Sequence, residues 1–495
     1  MDNKVFFFDI DGTLTDRKTH RIVPSARRAL ALLQNEGHFV CLATGRAHYK
    51  TVGVMKDLNI QNAVCCGGGC IVVHGKVLKN EFLPHDKAIH ILEEAEKAGI
   101  GYLLMLDDSD KAYMKDYRFL EQVGRREELT TYVYKPELDF YEVNILKIYL
   151  AVKEEEEEKY PWIQSLTRLR FAKNYLIFQY DAKKEGILSL LEEIHASPED
   201  VVVFGDDVND LDMFDSRWFN VAMGNGNETL KEHADYVAPK NTEHGIIRTC
   251  ETYGWIPSRK EVRERFEKLI LDDSIPFEET IQKEENWNFL AALNPSIAKT
   301  KGFEQRTPYH AYDVQVHIAK VVDGITREEV SEEEYRDLRI AAFLHDVGKP
   351  DVGRYITKDG KKIFIMAGHP EKSYEISEPL LLELGYEEKE IERILFLIAV
   401  HDRFLFYKPK EELWDPSQTH MIQNEENIKR EMAAFLKDFS RFHPTKRDWV
   451  LMAILAKADA AAHNKEISFD GVHVVDTVEQ MINRTKRLRN IFENL

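Results

Sequence analysis

Phe6-Phe7-Phe8-Asp9-Ile10-Asp11-Gly12-Thr13 decides how this chain is read: an apolar run ends abruptly in two carboxylates spaced two apart. Alternation along an extended chain sends Asp9 and Asp11 to the same side, where a buried strand would run out into solvent. One carboxylate can attack phosphorus while its neighbour handles the proton, provided a divalent cation holds them together against their repulsion. Gly12 lets the backbone turn tightly, and Thr13 adds a hydroxyl and an amide that can face an anion. An isolated Asp-x-Asp is more often an acidic turn, so the reading rests on the company this one keeps along the chain.

His38-Phe39-Val40-Cys41-Leu42-Ala43 reads as a second buried strand, ending in Thr44-Gly45-Arg46. Val201-Val202-Val203-Phe204 is a third, and it delivers Gly205-Asp206-Asp207-Val208-Asn209-Asp210. Between them a lysine opens an amphipathic helix with Ile187, Leu188 and Leu191 as its apolar stripe. Lys183 and Lys184 compete for that position, and the spacing into the leucines favours Lys184. Four motifs in this order, each after the expected element, resemble the haloacid dehalogenase-like phosphatases.

The resemblance implies an α/β Rossmann-like core with a distinct chemistry. Asp9 is then the nucleophile that becomes an aspartyl-phosphate, and Asp11 the acid that protonates the leaving oxygen and later activates water. Thr44 and Lys184 hold the phosphoryl oxygens, with Asn209 counted among the substrate contacts. Magnesium sits on Asp9, the backbone carbonyl of Asp11 and Asp206, with Asp210 supporting its water shell. Far more chain lies between Arg46 and the lysine than one strand and helix need. The family fills this gap with an α+β cap, and Gly67-Gly68-Gly69 followed by Ile71 to Leu78 resembles the Cof-type subgroup. That subgroup usually has Asn-Gly-Ala/Gly there, whereas this chain has Cys65-Cys66-Gly67-Gly68-Gly69. Expected boundaries are residues 1–82 and 183–255 for the core and 83–182 for the cap, in which Lys147 to Val152 and Leu176 to Tyr180 are strand-like. The run Glu154 to Glu158 reads as a solvated turn or helix end.

After about residue 255 the pattern changes to apolar residues at three- and four-residue spacing, in Val262 to Leu271, Tyr335 to Leu344, Ile391 to Val400 and Trp449 to Ala462. These predict an all-α second domain at residues 306–495, reached through a helical connector at 256–305. In Ile340-Ala341-Ala342-Phe343-Leu344-His345-Asp346-Val347-Gly348-Lys349-Pro350 an apolar helix carries His and Asp in its last turn, stopped by Gly348 and Pro350. His85-Asp86 and His401-Asp402 lack that context. The stretch resembles the HD-domain metal phosphohydrolases.

By that resemblance His317, in the stretch Tyr309 to His317, is the first ligand, with His310 as runner-up. His345 and Asp346 come next, then His369 and His401, the extra histidines of members that hold two metals. Asp459 is the last ligand; a carboxylate in an alanine-rich helix needs a partner to be tolerated. Lys349 is expected to contact phosphate. The similarity is closest to the HD domains of CCA-adding nucleotidyltransferases, which act on 2′,3′-cyclic phosphodiesters and phosphates. Imidazole with carboxylate suits one or two ions of iron, manganese, nickel, cobalt or zinc better than magnesium.

The 495 residues allow about three domains. A net charge of −19 argues against an extensive nucleic-acid-binding face and leaves a small phosphorylated substrate, a nucleotide or an RNA 3′ end. The 5 cysteines lie in the first half without zinc spacing. They read as reduced thiols of a cytoplasmic protein. No segment is apolar enough to span a bilayer, and the first strand leaves no room for a signal peptide. The expected function is therefore a bifunctional phosphohydrolase. It joins a magnesium-dependent phosphomonoesterase to a metal-dependent phosphodiesterase or phosphatase, the two able to act in sequence. The alternative keeps the first enzyme, as a sugar- or nucleotide-phosphate phosphatase, and makes the HD half a nucleotide-binding regulatory module.

Overall fold

A computed structural model of the chain describes residues 3–126, 128–306, 310–358, 360–406, 440–463 and scattered positions from 479 to 489. Tyr309, at the head of one quoted motif, lies outside the described residues. The chain divides into two compact units, Met1–Ile256 and Pro257–Leu495.

The first unit carries two sheets. Its strands are, in chain order, β1 (Val5–Phe8), β2 (Phe39–Ala43), β3 (Ala63–Cys65), β4 (Cys70–Val73), β5 (Lys76–Asn80), β6 (Tyr102–Met105), β7 (Lys111–Met114), β8 (Thr131–Tyr134), β9 (Lys147–Leu150), β10 (Arg168–Ala172), β11 (Tyr175–Phe178), β12 (Val201–Gly205), β13 (Phe219–Ala222) and β14 (Tyr236–Val237). The core sheet has the order β14-β13-β12-β1-β2-β3-β4-β5. It is parallel from β14 to β3 and antiparallel beyond. Strand order runs outward in both directions from β1, so the carboxyl ends of β12, β1 and β2 meet at a switch point, where open α/β sheets place their ligands.

Side-chain alternation then assigns the two faces of β1. Phe6 and Phe8 lie on one face, where Phe8 stacks on Phe204 at 4.7 Å and Phe6 meets Trp255 edge-on at 5.2 Å. Phe7 lies on the other, in a core with Val64, Val203, Ile187 and Leu190. Asp9 is two residues beyond Phe7 and its N–H still bonds Phe204 O at 3.0 Å, so it continues on the face covered by the helix Lys183–Ile194.

The cap sheet has the order β10-β11-β9-β6-β7-β8, antiparallel except for β7 with β8. One of its faces packs on Ile91, Leu92 and Ala95 of the helix His85–Ala98. The glutamate run forms a 3-10 helix, Glu154–Lys159, with no buried residue.

The second unit is largely helical. The four expected helices are Arg259–Leu271, Glu332–Leu344, Glu388–Phe406 and Lys446–Ala461. Two elements differ from the sequence reading. The segment expected as a connector forms helices whose core joins this unit: Phe266 meets Phe343 at 5.8 Å, and buried Arg339 donates to Ile270 O at 2.6 Å. The unit is also not purely helical, because β15 (Arg354–Lys358) and β16 (Lys361–Ile365) pair as an antiparallel hairpin. Gly360, at φ +76, supplies the positive backbone angle that a tight hairpin turn needs. No helix among the described residues is long and apolar enough to cross a membrane.

Candidate active sites

At the switch point Asp9, Asp206 and Asp210 bring three buried carboxylates within 4.8 Å of one another. Asp206 follows the end of β12, and Asp210 folds back so that its Oδ2 accepts the N–H of Asp206 at 2.9 Å and of Asp207 at 3.1 Å. Thr13 Oγ1 donates to Asp206 Oδ1 at 3.1 Å. Gly12 has φ +90, and a Cβ there would stand 2.1 Å from Asp206 Oδ2, so only glycine lets the turn pass this close. The turn is also held from outside, because Asn225 and Asn241 donate to Gly12 O at 2.8 and 2.9 Å.

The lysine in the site is Lys183, not Lys184. Lys183 Nζ donates to Asp9 Oδ1 at 3.0 Å and Asp210 Oδ1 at 2.6 Å in a fully buried position. Lys184 turns away toward Asp215, at 3.8 Å. The buried face of the helix is Lys183, Gly186, Ile187, Leu190 and Leu191. Gly186 settles this frame, since a Cβ on it would lie 2.6 Å from Gly68 Cα. The glycine turn therefore packs against the start of the lysine helix, where Ala182 N–H donates to Gly67 O at 2.7 Å. The same turn is tied to the end of β2 by Gly67 N–H to Thr44 O at 3.1 Å and Cys66 N–H to Arg46 O at 2.8 Å.

Thr44 is buried at the end of β2, its Oγ1 accepting Arg46 N–H at 3.2 Å. Asp11 is exposed and paired with Arg46, whose Nε donates to its Oδ2 at 2.8 Å. Asn209 is exposed, and no hydrogen bond ties its side chain to the three carboxylates among the described residues. Arg17 was not anticipated; its Nη2 reaches Asp206 Oδ2 at 2.7 Å and Asp207 Oδ2 at 2.9 Å. No spacing rule could have found it, because an arginine a few residues past a glycine turn has no fixed direction.

Burial, helped by Asp210 and offset by Lys183, pushes the Asp9 carboxyl up to about 8. Burial against the pull of Arg17 leaves Asp206 at about 6. Burial works against the Lys183 charge, but Asp9 and Asp210 hold it charged and above the usual lysine range. Carboxylates crowded this closely draw positive charge, and an all-oxygen set fits a hard ion such as magnesium.

The second unit gathers a different set. His317 comes from the helix Val314–Asp323, His345 and Asp346 from the end of Glu332–Leu344, His369 from the first turn of His369–Leu384, His401 from Glu388–Phe406 and Asp459 from Lys446–Ala461. Asp346 lies between them. Its Oδ2 is 3.3 Å from His317 Nε2 and 3.2 Å from His345 Nε2, and its Oδ1 is 3.2 Å from His369 Nε2 and 3.6 Å from His401 Nε2. Asp459 Oδ1 is 3.1 Å from His317 Nε2.

Three of the rings have their other nitrogen fixed. Nδ1 of His345, His369 and His401 lies 2.7, 3.0 and 2.7 Å from the carbonyls of Ala342, Met366 and Ile398. A carbonyl only accepts, so each Nδ1 carries a proton and each ring turns its Nε2 inward, the nitrogen a metal would take. His369 and His401 Nε2 then face each other at 3.2 Å. His317 Nε2, His345 Nε2, both oxygens of Asp346 and Asp459 Oδ1 are buried without a hydrogen bond among the described residues. Such a set could hold a divalent ion, and its imidazoles favour a transition metal. Despite burial, His345 and Lys349 hold Asp346 far below the usual carboxylate range. Burial lowers His317 to about 4. Burial also opposes charge on His401, yet Asp346 and Asp402 raise it to about 9, so the cluster attracts positive charge at its centre. Lys349 is buried, with Nζ 2.6 Å from Asp346 Oδ2 and donating to Gln305 Oε1 at 2.8 Å. His310 Nε2 is 3.3 Å from that ammonium, behind the ligands rather than among them.

A haloacid dehalogenase-like hydrolase family model matches residues 6–249. YkrA of Bacillus subtilis (strain 168), designated a phosphatase, is 32% identical over 260 residues, covering 51% of this chain and 99% of its own. The chain belongs to the haloacid dehalogenase-like hydrolases. A model of the HD domain matches residues 307–442. Pyridoxal phosphate phosphatase YbhA of Escherichia coli (strain K12) is 25% identical, with 50% of this chain and 97% of that one covered. A solved protein of Geobacillus kaustophilus is 28% identical, covering 51% of this chain and all of its own, at a TM-score of 0.45. With a haloacid dehalogenase-like half of Cof type and an HD half, the chain is a phosphoric ester hydrolase.

Proposed function

We propose that the chain carries two separate phosphohydrolase sites, a magnesium-dependent phosphomonoesterase in the first unit and a transition-metal phosphodiesterase in the second. The observation that carries this reading is the presence of two complete ligand groups of different chemistry, three carboxylates in one unit and an imidazole-carboxylate set in the other. In the first site Asp9 attacks phosphorus and the bond to the leaving oxygen breaks, giving an aspartyl-phosphate. Asp11 exchanges Arg46 for the leaving oxygen and protonates it, then takes a proton from the water that frees Asp9. Lys183 keeps Asp9 directed at the phosphorus and, with Thr44, balances the phosphoryl oxygens. Asp9, Asp206 and Asp210 would hold magnesium, which would supply the remaining positive charge.

In the second site His317, His345, His369, His401, Asp346 and Asp459 are the ligands. These side chains would hold the metal, which would lower the pKa of a bound water for attack on phosphorus. Lys349 anchors Asp346, a positioning role in place of the phosphate contact expected from sequence.

We further assign the two sites to consecutive steps on one nucleotide or RNA-end phosphate. A cyclic phosphodiester offers a monoesterase nothing to cleave until its ring is opened, and the product of opening is a monoester. The test supplies 2′,3′-cyclic nucleotides with magnesium and manganese to the intact chain and to Asp9→Asn. Nucleoside and inorganic phosphate from the intact chain, with monophosphate accumulating in Asp9→Asn, is the expected result. Failure of the intact chain to open any cyclic phosphate overturns the consecutive assignment.

A further inference from the structure

The turn after Thr44 leads into the helix His48–Asp57, whose first residues meet the cap. His48 Nδ1 is 2.7 Å from Asp108 Oδ2, and Tyr49 N–H donates to Asp108 Oδ1 at 3.0 Å. Lys50 pairs with Glu128, and the Tyr49 ring packs on the cap cluster that contains Tyr149. On the cap side Arg126 lies over the Tyr149 ring, 3.8 Å from its centre, with only 3% of its side chain exposed. Its Nη2 also pairs with Glu128 and its Nη1 donates to Thr130 Oγ1 at 3.2 Å. Its Nε is buried without a hydrogen-bond partner among the described residues.

Lys147 opens β9 beside them, its Nζ 5.8 Å from the centre of the Tyr149 ring. Among the described residues it makes no hydrogen bond or ion pair. Cys66, Lys50, Glu128 and Arg126 are the charged or titratable groups that act on it. The Cys66 N–H is bonded to Arg46 O, so the cluster adjoins the turn that carries Thr44. Asp108 is already engaged by His48 and Tyr49, and Glu128 pairs with Lys50 and Arg126, which leaves Lys147 without a carboxylate of its own. Two arginine- or lysine-borne charges too many, on partly buried side chains beside Tyr49 and Tyr149, are costly unless an anion joins them. Burial, together with Lys50 and Arg126, accordingly lowers the Lys147 ammonium to about 8.

We propose that this cluster receives a second anionic group carried on the leaving-group side of the phosphate monoester, gripped by Lys147 and Arg126. The substrate class is then a monoester bearing a carboxylate or a second phosphate, with the tyrosine rings lining the linker between the two anions. This deepens the monoesterase reading of the Asp9 site and rests on it.

The experiment compares kcat/KM within matched pairs: phosphoglycerate against glycerol phosphate, which differ in a carboxylate, and a hexose bisphosphate against the corresponding monophosphate. Tenfold or greater preference for the anionic member of at least one pair is expected, expressed mainly in KM, and the preferred pair identifies the anion. In Lys147→Met and Arg126→Met the ratio within that pair should fall toward one, and Lys147→Arg should restore it. Because both members are measured on the same variant, a general loss of fold or rate cancels from the ratio. Equal turnover of both members of both pairs by the intact chain overturns the proposal, as does a ratio unchanged in both Met variants. If the intact chain hydrolyses neither these esters nor p-nitrophenyl phosphate with magnesium, the monoesterase reading itself has failed and takes the proposal with it.

Discussion

The two sites solve the same problem, several charges buried together, in opposite ways. In the first unit the protein supplies its own cations: Lys183 bridges Asp9 and Asp210, and Arg17 covers Asp206. In the second, inward-facing imidazole nitrogens and carboxylate oxygens are left with few partners, and Lys349 is the one lysine at the cluster among the described residues. A carboxylate site closed by lysine and arginine holds together without metal and admits an exchangeable ion. An imidazole site left open would, on the function proposed above, hold together through a bound metal. The contrast teaches that metal dependence of activity and metal dependence of stability should separate along the chain.

The most damaging change to this contrast is Lys183→Met. It leaves two carboxylates buried without their cation, which costs about 3–5 kcal/mol of stability, and monoesterase turnover should fall by about 10²–10³. Lys184→Met should stay within about twofold, as surface changes do. Steady-state kinetics with thermal unfolding on the pair checks the assignment, and equal losses would break it.

His345→Ala combined with Asp346→Ala comes next. Elemental analysis should find the transition metal gone from the second unit, while monoesterase activity changes by less than about twofold because sites that share no partners act additively. Chelation of the unmutated chain should lower the unfolding temperature of the second unit more than that of the first.

Gly12→Ala is expected to cost about 1–3 kcal/mol through backbone strain alone, and its Cβ would also displace Asp206. Loss of magnesium affinity with the fold retained, measured by calorimetry, would place that effect at the carboxylates.

The smallest effect is a pH slope. Asp9 binds its proton more tightly folded, at about 8, than unfolded, at the ordinary aspartate value of 3.8. Stability from this group is therefore full below the unfolded value and is lost as pH rises toward 8, at up to about 1.4 kcal/mol per pH unit. Asp9→Asn should flatten that slope in metal-free protein, and magnesium should suppress it in the unmutated chain. Thermal unfolding in chelator from pH 5 to 9 reads both.

Much of this was legible in the sequence because strand alternation is rigid. Two carboxylates past Phe8, and the turns after Ala43 and Gly205, could only gather at one edge of a parallel sheet. The lysine was not, because Ile187, Leu188, Leu190 and Leu191 support two helical frames one residue apart. The contact that chooses between them, Gly186 on Gly68, joins segments distant in sequence. Arg17 and the exposed, paired state of Asp11 depend on long side chains choosing partners across loops, which periodicity does not encode. In the second unit each ligand stood in a readable helix, but the hairpin at β15 and β16 went unread, because its strands are only five residues each and are flanked on both sides by helical patterns.

The glycine turn at Gly67 to Gly69 closes on the residues just before Lys183, so both ends of everything inserted between them are pinned at one spot on the core. Lengthening or replacing the insert changes little for the lysine, since the entropy of a closed loop grows only slowly with its length. The catalytic floor and the specificity-bearing roof can thus diverge at different rates, and a roof transplanted from a relative at these two anchor points should leave the floor in register.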